Sequence, residues 1–535
     1  MSAPSSRLEG LYVPARKPKN RYNERSNLTG GRKMSGCVSC ETLLLHPPIT
    51  LKKEDVPSFG FFPPMGLAYL AAVLEESGIP VAIRDLLVEG EEQTEDCGDG
   101  NLRVGLPDHE IKRILHKVSP RIVGIPNIFS AFSSDSVRLA RLVRKFMPNA
   151  LIVMGGAQAS KEPRPLLKTG AVDVVVKGEG EYVFRDIAIA VLDGRLDEAR
   201  GLKGTVWLGA NGDIVDNASP DTIFDLDAIP FPAYHLLPME KYIWQRSANF
   251  AVTMRHPIGH MITTRGCPFK CIFCSTTKGF RKRSAKNILK ELKYLINEYG
   301  VREIHFHDDS FAADAKRVAE LCQMIIDEGI DIRWQVSQGI NSCAIDESLL
   351  ELMHKSGMYR VGFPIESACA KTLRFIRKPV RLDKVTKLIK KCNELGIYTF
   401  GCFMIGFPEE TRKEIKETID FILNSGLDYV KVSITQPLVG SELYSVYQSL
   451  NLMGDYARHG STYAHTEYDT VNLKAGELNE IRDQVFRDFG RNRLKNALTP
   501  RGFRRSVLPK LRSFEHARYF LKVGRYALLN GESGR

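Results

Sequence analysis

A chain of 535 residues with 43% hydrophobic and 26% charged residues has an ordinary globular composition and length enough for two to four domains with their own cores. No stretch approaches the ~18 consecutive apolar residues of a membrane span, and the first residues hold no apolar run of signal-peptide kind, so membrane insertion and secretion are argued against and a cytoplasmic location is expected. The net charge of +12 sits in the tails: residues 1–36 carry eight Lys/Arg against two Glu, and residues 500–535 carry nine against two. Such tails can attract an anionic substrate, an acidic partner or nucleic acid; a solubilising role is the plainer reading, and nucleic acid is not the expected partner.

In chain order, residues 1–40 are polar, basic and rich in Ser, Asn, Gly and Pro, which predicts a disordered leader. Residues 41–205 alternate strand and helix patterns. Strands are predicted at Thr42–Leu45, Val81–Asp85, Arg121–Ile125, Leu151–Met154 and Asp173–Lys177. Leu67, Leu70, Ala71 and Leu74 keep the spacing of one helix face, and Gly78 with Pro80 closes that helix. Five such units predict a doubly wound, flavodoxin-like α/β sheet with its ligand at the carboxyl ends of the strands. The segments there are His46-Pro47-Pro48, Pro126–Ser130, Gly155-Gly156-Ala157 and Gly178-Glu179-Gly180-Glu181. Residues 206–255 read as an irregular linker, broken by Ile229-Pro-Phe-Pro-Ala233. A second alternation over 256–440 predicts strands at Met261–Thr264, Glu303–His307, Ile332–Ser337, Tyr359–Ile365, Thr399–Ile405 and Tyr429–Thr435, enough for a partial β/α barrel with its active face at the strand ends. Residues 441–535 are helical by pattern and end in the basic tail.

The eleven cysteines are an odd number, mostly scattered, which in a chain without an export signal argues for reduced thiols and a metal site. Cys37 and Cys40 could be a redox pair; with no second pair, incidental thiols are the simpler reading. Cys267-Pro-Phe-Lys-Cys271-Ile-Phe-Cys274 is the sharpest signal. It puts three thiolates on one tight loop after a strand. A [4Fe–4S] cluster ordinarily takes four thiolates; with three, one iron stays open to a small chelating molecule. Structural zinc wants four closed ligands, and no nearby fourth cysteine is present.

This Cys-x3-Cys-x2-Cys, with Phe273 before the last cysteine, resembles the radical S-adenosylmethionine (SAM) superfamily. The resemblance implies that Cys267, Cys271 and Cys274 hold a [4Fe–4S] cluster whose electron, from a donor of flavodoxin or ferredoxin type, cleaves SAM to a 5′-deoxyadenosyl radical. Polar groups then recur at successive strand ends. Asp308 and Asp309 look like the acidic element that contacts the SAM ammonium; paired carboxylates suit a cation, and one of them could also cap a helix. Gln335 and Ser337 end the third strand. Glu366 and Ser367 end the fourth, where the family contacts the ribose and methionyl groups. Gly406-Phe-Pro-Glu409 resembles the adenine-binding Gly-x-x-Glu, although Glu409 could be a first-turn helix charge. Gln436-Pro-Leu-Val-Gly440 looks like a further loop on the substrate or ribose side. His305 and His307 read as packed or hydrogen-bonded barrel histidines.

The amino-terminal units resemble the cobalamin-binding domain that precedes many radical SAM barrels. The matching stretches are Pro63-Pro64-Met65-Gly66-Leu67, Asp85, Val123-Gly124-Ile125, Gly155-Gly156-Ala157 and Gly178-Glu179-Gly180-Glu181. The glycines permit close backbone approach to a bulky ligand. The Asp-x-His-x-x-Gly motif that ligates cobalt from below is absent, which implies base-off cobalamin without a histidine ligand.

This class consists mostly of methyltransferases acting on unactivated carbon or on phosphorus. The implied cycle uses one SAM to methylate cobalt and another to make the radical, and the substrate radical takes the methyl group. No side chain is assigned as a catalytic acid or base. The segments Ile229-Pro-Phe-Pro-Ala-Tyr-His235, Met239-Glu-Lys-Tyr242 and Leu438-Val-Gly-Ser-Glu442 look closest to the phosphonate C-methyltransferases of the fosfomycin antibiotic pathway, which implies a small anionic substrate. The rival readings are a cobalamin-dependent radical cyclase or rearranging enzyme, separable by its products, and a corrinoid or iron–sulfur sensor or chaperone that does not cleave SAM.

Overall fold

Short runs rich in Val, Ile and Leu, each followed by an amphipathic helix, build two parallel sheets in the computed structural model. It describes residues 40–56, 59–209, 211–244, 252–276, 279–453 and 465–529. Cys37, the basic leader up to residue 39 and the last six residues of the basic tail lie outside the described residues.

The first sheet contains β1 (Thr42–His46), β2 (Val81–Asp85), β3 (Ile122–Pro126), β4 (Leu151–Gly155) and β5 (Val174–Val176), followed by β6 (Thr205–Leu208) and β7 (Ile214–Asp216). Its order is β2-β1-β3-β4-β5-β6-β7. The first five strands pair in parallel, in the doubly wound arrangement expected. Alternation along each strand divides the core. Leu44, Ile83, Ile122, Val153 and Val174 pack toward α1 (Met65–Glu76) and the helix Glu181–Leu192. Leu43, Leu45, Val123, Ile152 and Met154 pack on the opposite face, against helices Asp108–Val118 and Ser133–Phe146.

Two features depart from the sequence reading. β6 and β7 form an antiparallel hairpin added to the sheet edge, where an irregular segment was expected. Strands Ile49–Lys52, Thr94–Gly98 and Asn101–Val104 form a separate small antiparallel sheet over the carboxyl side of the first. The segment 206–255 is also no slack tether. Tyr234 and Tyr242 are fully buried. The Tyr234 hydroxyl donates to Glu291 at 2.6 Å and the Tyr242 hydroxyl to Asp85 at 2.5 Å, and Asp85 also holds the His46 ring at 3.1 Å.

The second sheet runs β8 (Ile258–Met261), β9 (Glu303–Phe306), β10 (Arg333–Val336), β11 (Met358–Glu366), β12 (Tyr398–Ile405) and β13 (Tyr429–Ile434), all parallel and in sequential order. β8 begins three residues earlier than predicted. Right-handed crossovers between sequential neighbours put the crossover helices on one face, so the sheet curves as a partial barrel and is not doubly wound. Ile304, Phe306, Trp334, Val336, Phe363 and Phe403 fill that outer face. The inner face of its first three strands carries polar residues, with His260, His305 and Gln335 in lateral register. Helix Phe514–Leu529 closes the amino-terminal end of the barrel: Tyr519 stands edge-on to Tyr359 and Tyr398, and Glu515 accepts from Arg333 at 2.9 Å and pairs with Arg255.

Candidate active site at the barrel mouth

The chain leaves β8 through Thr263 and Thr264 and enters the cysteine loop three residues later. Asp308, just after β9, fixes that exit. Its carboxylate accepts the Thr263 and Thr264 N–H groups at 2.6 and 2.5 Å and both threonine hydroxyls at 2.8 and 3.0 Å. Arg317 donates to the Thr263 carbonyl and hydroxyl from the other side. Burial raises the Asp308 pKa against these bonds. Asp308, expected to meet a SAM ammonium, thus makes four hydrogen bonds inside the protein and caps the root of the loop, not a helix. Asp309 is exposed and makes no hydrogen bond or ion pair with any described residue; the protein around it and the Asp308 charge raise its carboxyl above the ordinary range.

The loop is sewn down at its centre. The Ile272 N–H donates to Ile376, its carbonyl accepts from Leu443, and its side chain packs with Ile376, Phe407, Leu443 and Tyr447. Cys267, Cys271 and Cys274 are free thiols, and all three line one cavity of about 550 Å³ together with Phe280, Arg377 and Gly440. Among the described residues no three His, Cys, Asp or Glu side chains converge on a single metal ion; thiolates of one cubane each take a different iron and need not converge. The donor set, three thiols without disulfides around one cavity, fits a cluster with an open iron. Burial pushes the Cys271 thiol up, opposed by the charge of Lys378.

Lys378 was not legible in the sequence. Its ammonium lies 2.9 Å from Glu366 and 5.9 Å from the centroid of the Phe273 ring. Burial alone would lower its pKa; Glu366, Cys271 and Cys267 raise it. Glu366, in the left-handed region at φ +67°, and Phe273, 6.3 Å from Phe407, thus gather beside the cysteines. Ser367 is committed elsewhere: its hydroxyl sits 3.0 Å from that of Thr418 and accepts the Cys369 N–H. At the end of β12 the buried carboxylate is Glu410, not Glu409. It accepts the Gly406 and Phe407 N–H groups and the Thr372 hydroxyl, and burial raises its pKa to about 7. Glu409 is exposed.

Deeper in the barrel, His260 Nδ1 meets His307 Nε2 at 2.8 Å, and His305 Nε2 meets Glu303 at 2.7 Å and Gln335 at 2.8 Å. Burial lowers His260 and His307, the latter to about 3, so both rings stay neutral. Gln335 Oε1 and Ser337 Oγ are buried without a partner.

Across from the barrel mouth, the strand ends of the first sheet present Phe62, Ile128 and Phe129, which remain 43, 44 and 54% exposed. Phe62 stacks on His307, with ring centroids 5.9 Å apart. The Oδ1 of Asn127, just before Ile128, is buried without a partner among the described residues. Exposed apolar side chains beside an amide whose nitrogen donates to Ser133 at 2.9 Å and whose oxygen is left over fit a large macrocycle with polar edge groups. Gly156, at φ +113°, is required by the chain itself, since a Cβ there would lie 2.7 Å from the Asn127 carbonyl oxygen. Gly155 lies beside it, and Ala157 opens the short helix α2 (Ala157–Lys161). Gly178 donates its N–H to Ser160. Glu179 does not face the crevice: it pairs with Arg265 at 2.7 Å and Arg281 at 2.5 Å, and Glu181, reached from Gly180, pairs with Arg265 at 2.5 Å. The expected cofactor segment thus grips the cysteine loop.

Comparison with known proteins agrees with both halves. Residues 57–188 match the B12 binding domain and residues 261–422 the radical SAM superfamily. The chain is 34% identical over 416 residues to an uncharacterized methyltransferase of Pyrococcus horikoshii, covering 77% of this chain and 83% of that one. It is 32% identical over 494 residues to the cytidylyl-2-hydroxyethylphosphonate methyltransferase of Streptomyces wedmorensis, covering 86% and 91%. In fold it is similar to the cobalamin-dependent SAM radical enzyme OxsB (TM-score 0.67, 15% identity, 92% of this chain and 75% of that one). It is also similar to the radical SAM methyltransferase TsrM of Kitasatospora setae (TM-score 0.62, 17% identity, 90% and 96%). The chain therefore belongs to the cobalamin-dependent radical SAM methyltransferases, enzymes that work with a [4Fe–4S] cluster, SAM and cobalamin.

Proposed function

We propose that this chain transfers a methyl group to an unactivated carbon of a small anionic substrate, a phosphonate or its nucleotidyl ester. The observation that carries the reading is the single cavity shared by Cys267, Cys271 and Cys274. The phosphonate class is supported by the 32% identity across nearly all of a phosphonate methyltransferase. Lys270 on the cavity wall is compatible with an anion, while Arg377 there is already paired with Glu442 at 2.7 Å.

The cluster and SAM supply a hydrogen-abstracting radical and cobalamin supplies the methyl group; the protein supplies position. In this reading residues 256–440 hold the cluster through the three cysteines, with Lys378 beside Cys271 and Cys267 offsetting thiolate charge. Asp309 meets the SAM ammonium, and Gln335, Ser337, Glu366 and the Gly406 turn line its remaining contacts. Residues 41–205 seat the corrinoid base-off, without a histidine ligand, against Phe62, Ile128 and Phe129. The neutral histidines add no charge near the radical. A soluble reductant of flavodoxin or ferredoxin type delivers the electrons in the cytoplasm; no described helix is long and apolar enough to cross a membrane.

The test is an anaerobic incubation of reconstituted enzyme with reductant, SAM labelled in its methyl group, and cytidylyl-2-hydroxyethylphosphonate or the free phosphonate. Label should enter the phosphonate, with 5′-deoxyadenosine and S-adenosylhomocysteine formed in equal amounts. Deoxyadenosine without homocysteine would point instead to a cyclase or rearrangement. Cys267→Ala should lose cluster iron and both products. A wild-type protein that leaves SAM intact would overturn the reading.

A further inference from the structure

One cation that packs against the wall of the cluster cavity comes from the other half of the molecule. Lys161 is the last residue of α2, the short helix that follows Gly155-Gly156 in the cobalamin-side sheet. Its side chain crosses to the barrel and lies over Gly440, which lines the same cavity as the three cysteines. A Cβ on Gly440 would stand 3.0 Å from Lys161 Cδ and 3.2 Å from Cε, and Gly440 is itself at φ +83°. The backbone there favours glycine, and a Cβ would push the lysine stem aside by a few tenths of an ångström.

The ammonium at the end of that stem has no internal partner. It makes no hydrogen bond or ion pair with any described residue. The charged groups acting on it are Cys274 and Glu162, and burial lowers its pKa. Glu162 is already engaged by the Gln158 amide at 2.5 Å. On the other flank of the cysteines, Lys378 is matched by Glu366. Partial burial of an unmatched ammonium costs stability unless a ligand supplies the missing anion.

We propose that Lys161 binds the carboxylate of the SAM held at the open iron, so that the cobalamin-side domain contributes directly to SAM recognition. This rests on the reading of the three-cysteine cavity given above. A SAM bound through its amino and carboxylate groups places one anionic group at the cysteine loop, and an ammonium on a four-carbon stem is a suitable point charge for it. The other anion within reach is the cluster with its thiolates, and the experiment separates the two.

Full-length Lys161→Met and Lys161→Arg proteins are reconstituted anaerobically beside wild type. Iron content and the electron paramagnetic resonance of the reduced cluster are recorded without SAM and then through a SAM titration. Lys161→Met should load iron and give the SAM-free spectrum of wild type, while its Kd for SAM rises at least ~10-fold, the low end for a hydrogen bond between charged groups. Lys161→Arg should stay within about threefold of wild type, because it keeps the charge and a donor. An unchanged Kd in Lys161→Met would overturn the proposal. So would a changed SAM-free spectrum or lost iron at unchanged Kd, which would make the lysine a partner of the cluster or a prop of the loop. A wild-type cluster whose spectrum ignores SAM would be a different failure, that of the functional reading itself.

Discussion

Glu409 and Glu410 show what a single position decides. Both follow the Gly406 turn, and the motif pointed to the first; the chain turns so that the second is the buried one, with two backbone N–H groups and the Thr372 hydroxyl on its carboxylate. Spacing alone does not distinguish adjacent carboxylates, because which one turns inward depends on the exit angle of the strand. The burial has a thermodynamic consequence. The folded Glu410 carboxyl titrates near 7, against an ordinary value of 4.5. The folded state therefore binds the proton more tightly, and the contribution is complete below about pH 4.5 and lost as pH rises through 7. The full span is on the order of 3 kcal/mol. Glu410→Gln should flatten the fall in thermal midpoint between pH 5 and 8 that wild type shows; an unchanged slope would place the titration elsewhere. Asp308 and Asp309 allow a sharper contrast. Asp308→Ala strands two buried N–H groups at the root of the cysteine loop and should cost about 2–4 kcal/mol, read by urea unfolding, with reduced iron loading. Asp309→Ala breaks no internal bond and should leave stability within about 0.5 kcal/mol while weakening SAM binding.

At the scale of elements, the parallel strands of both sheets were readable because each is an apolar run between turn residues, and β2 lies where its pattern put it. The small sheet was not, since Thr94–Gly98 is exposed along its whole length and carries no alternation for a pattern to detect. The Ile214–Asp216 strand is likewise mostly exposed and gains its place only by pairing with β6. The site divides in the same way. The cysteines are local in sequence and were plain; Lys161 and Lys378 become neighbours of the cluster loop only through tertiary packing. The helix Phe514–Leu529 lies in the region 441–535 that reads as helical by pattern, but nothing local indicated that it closes the barrel floor. Its anchor is Glu515. Burial alone would raise that carboxyl, yet Arg255 and Arg333 bring it down to about 2. This stability is present above about pH 4.5 and is lost as pH falls through 2, the opposite sense to Glu410. Glu515→Gln should lower the thermal midpoint at pH 7, by up to ~3 kcal/mol of stability, with the loss shrinking to a few tenths of a kcal/mol as pH falls to about 2. An equal loss at both pH values would mean that packing, not charge, secures the helix.

At the scale of the whole molecule, the question is what holds a cobalamin-side sheet in register with a cluster-bearing barrel. The apolar core runs continuously from α1 through Tyr234 and Tyr242 to the barrel helices, which supplies adhesion without direction. Direction comes from Arg265. It stands two residues before Cys267, over the Tyr69 ring, and its guanidinium bridges Glu179 and Glu181 of the first sheet while Arg281 holds the other oxygen of Glu179. A planar fork between two carboxylates fixes orientation as well as distance. Glu181 is only 9% exposed, so removing the arginine strands a carboxylate in a nearly dry place. Arg265→Ala should therefore cost about 2–4 kcal/mol, slightly under the range for a fully buried pair because the arginine itself keeps some contact with water. Glu181→Gln in the Arg265→Ala background should recover part of that loss, since it removes the stranded charge, whereas Glu181→Gln alone should destabilise; urea midpoints of the four proteins give the coupling. The same clamp sits at the base of the cysteine loop. Arg265→Ala should then lose iron faster on dilution than an equally destabilised core variant such as Leu44→Ala, and equal loss rates in the two would show that the arginine stabilises the fold without ordering the loop.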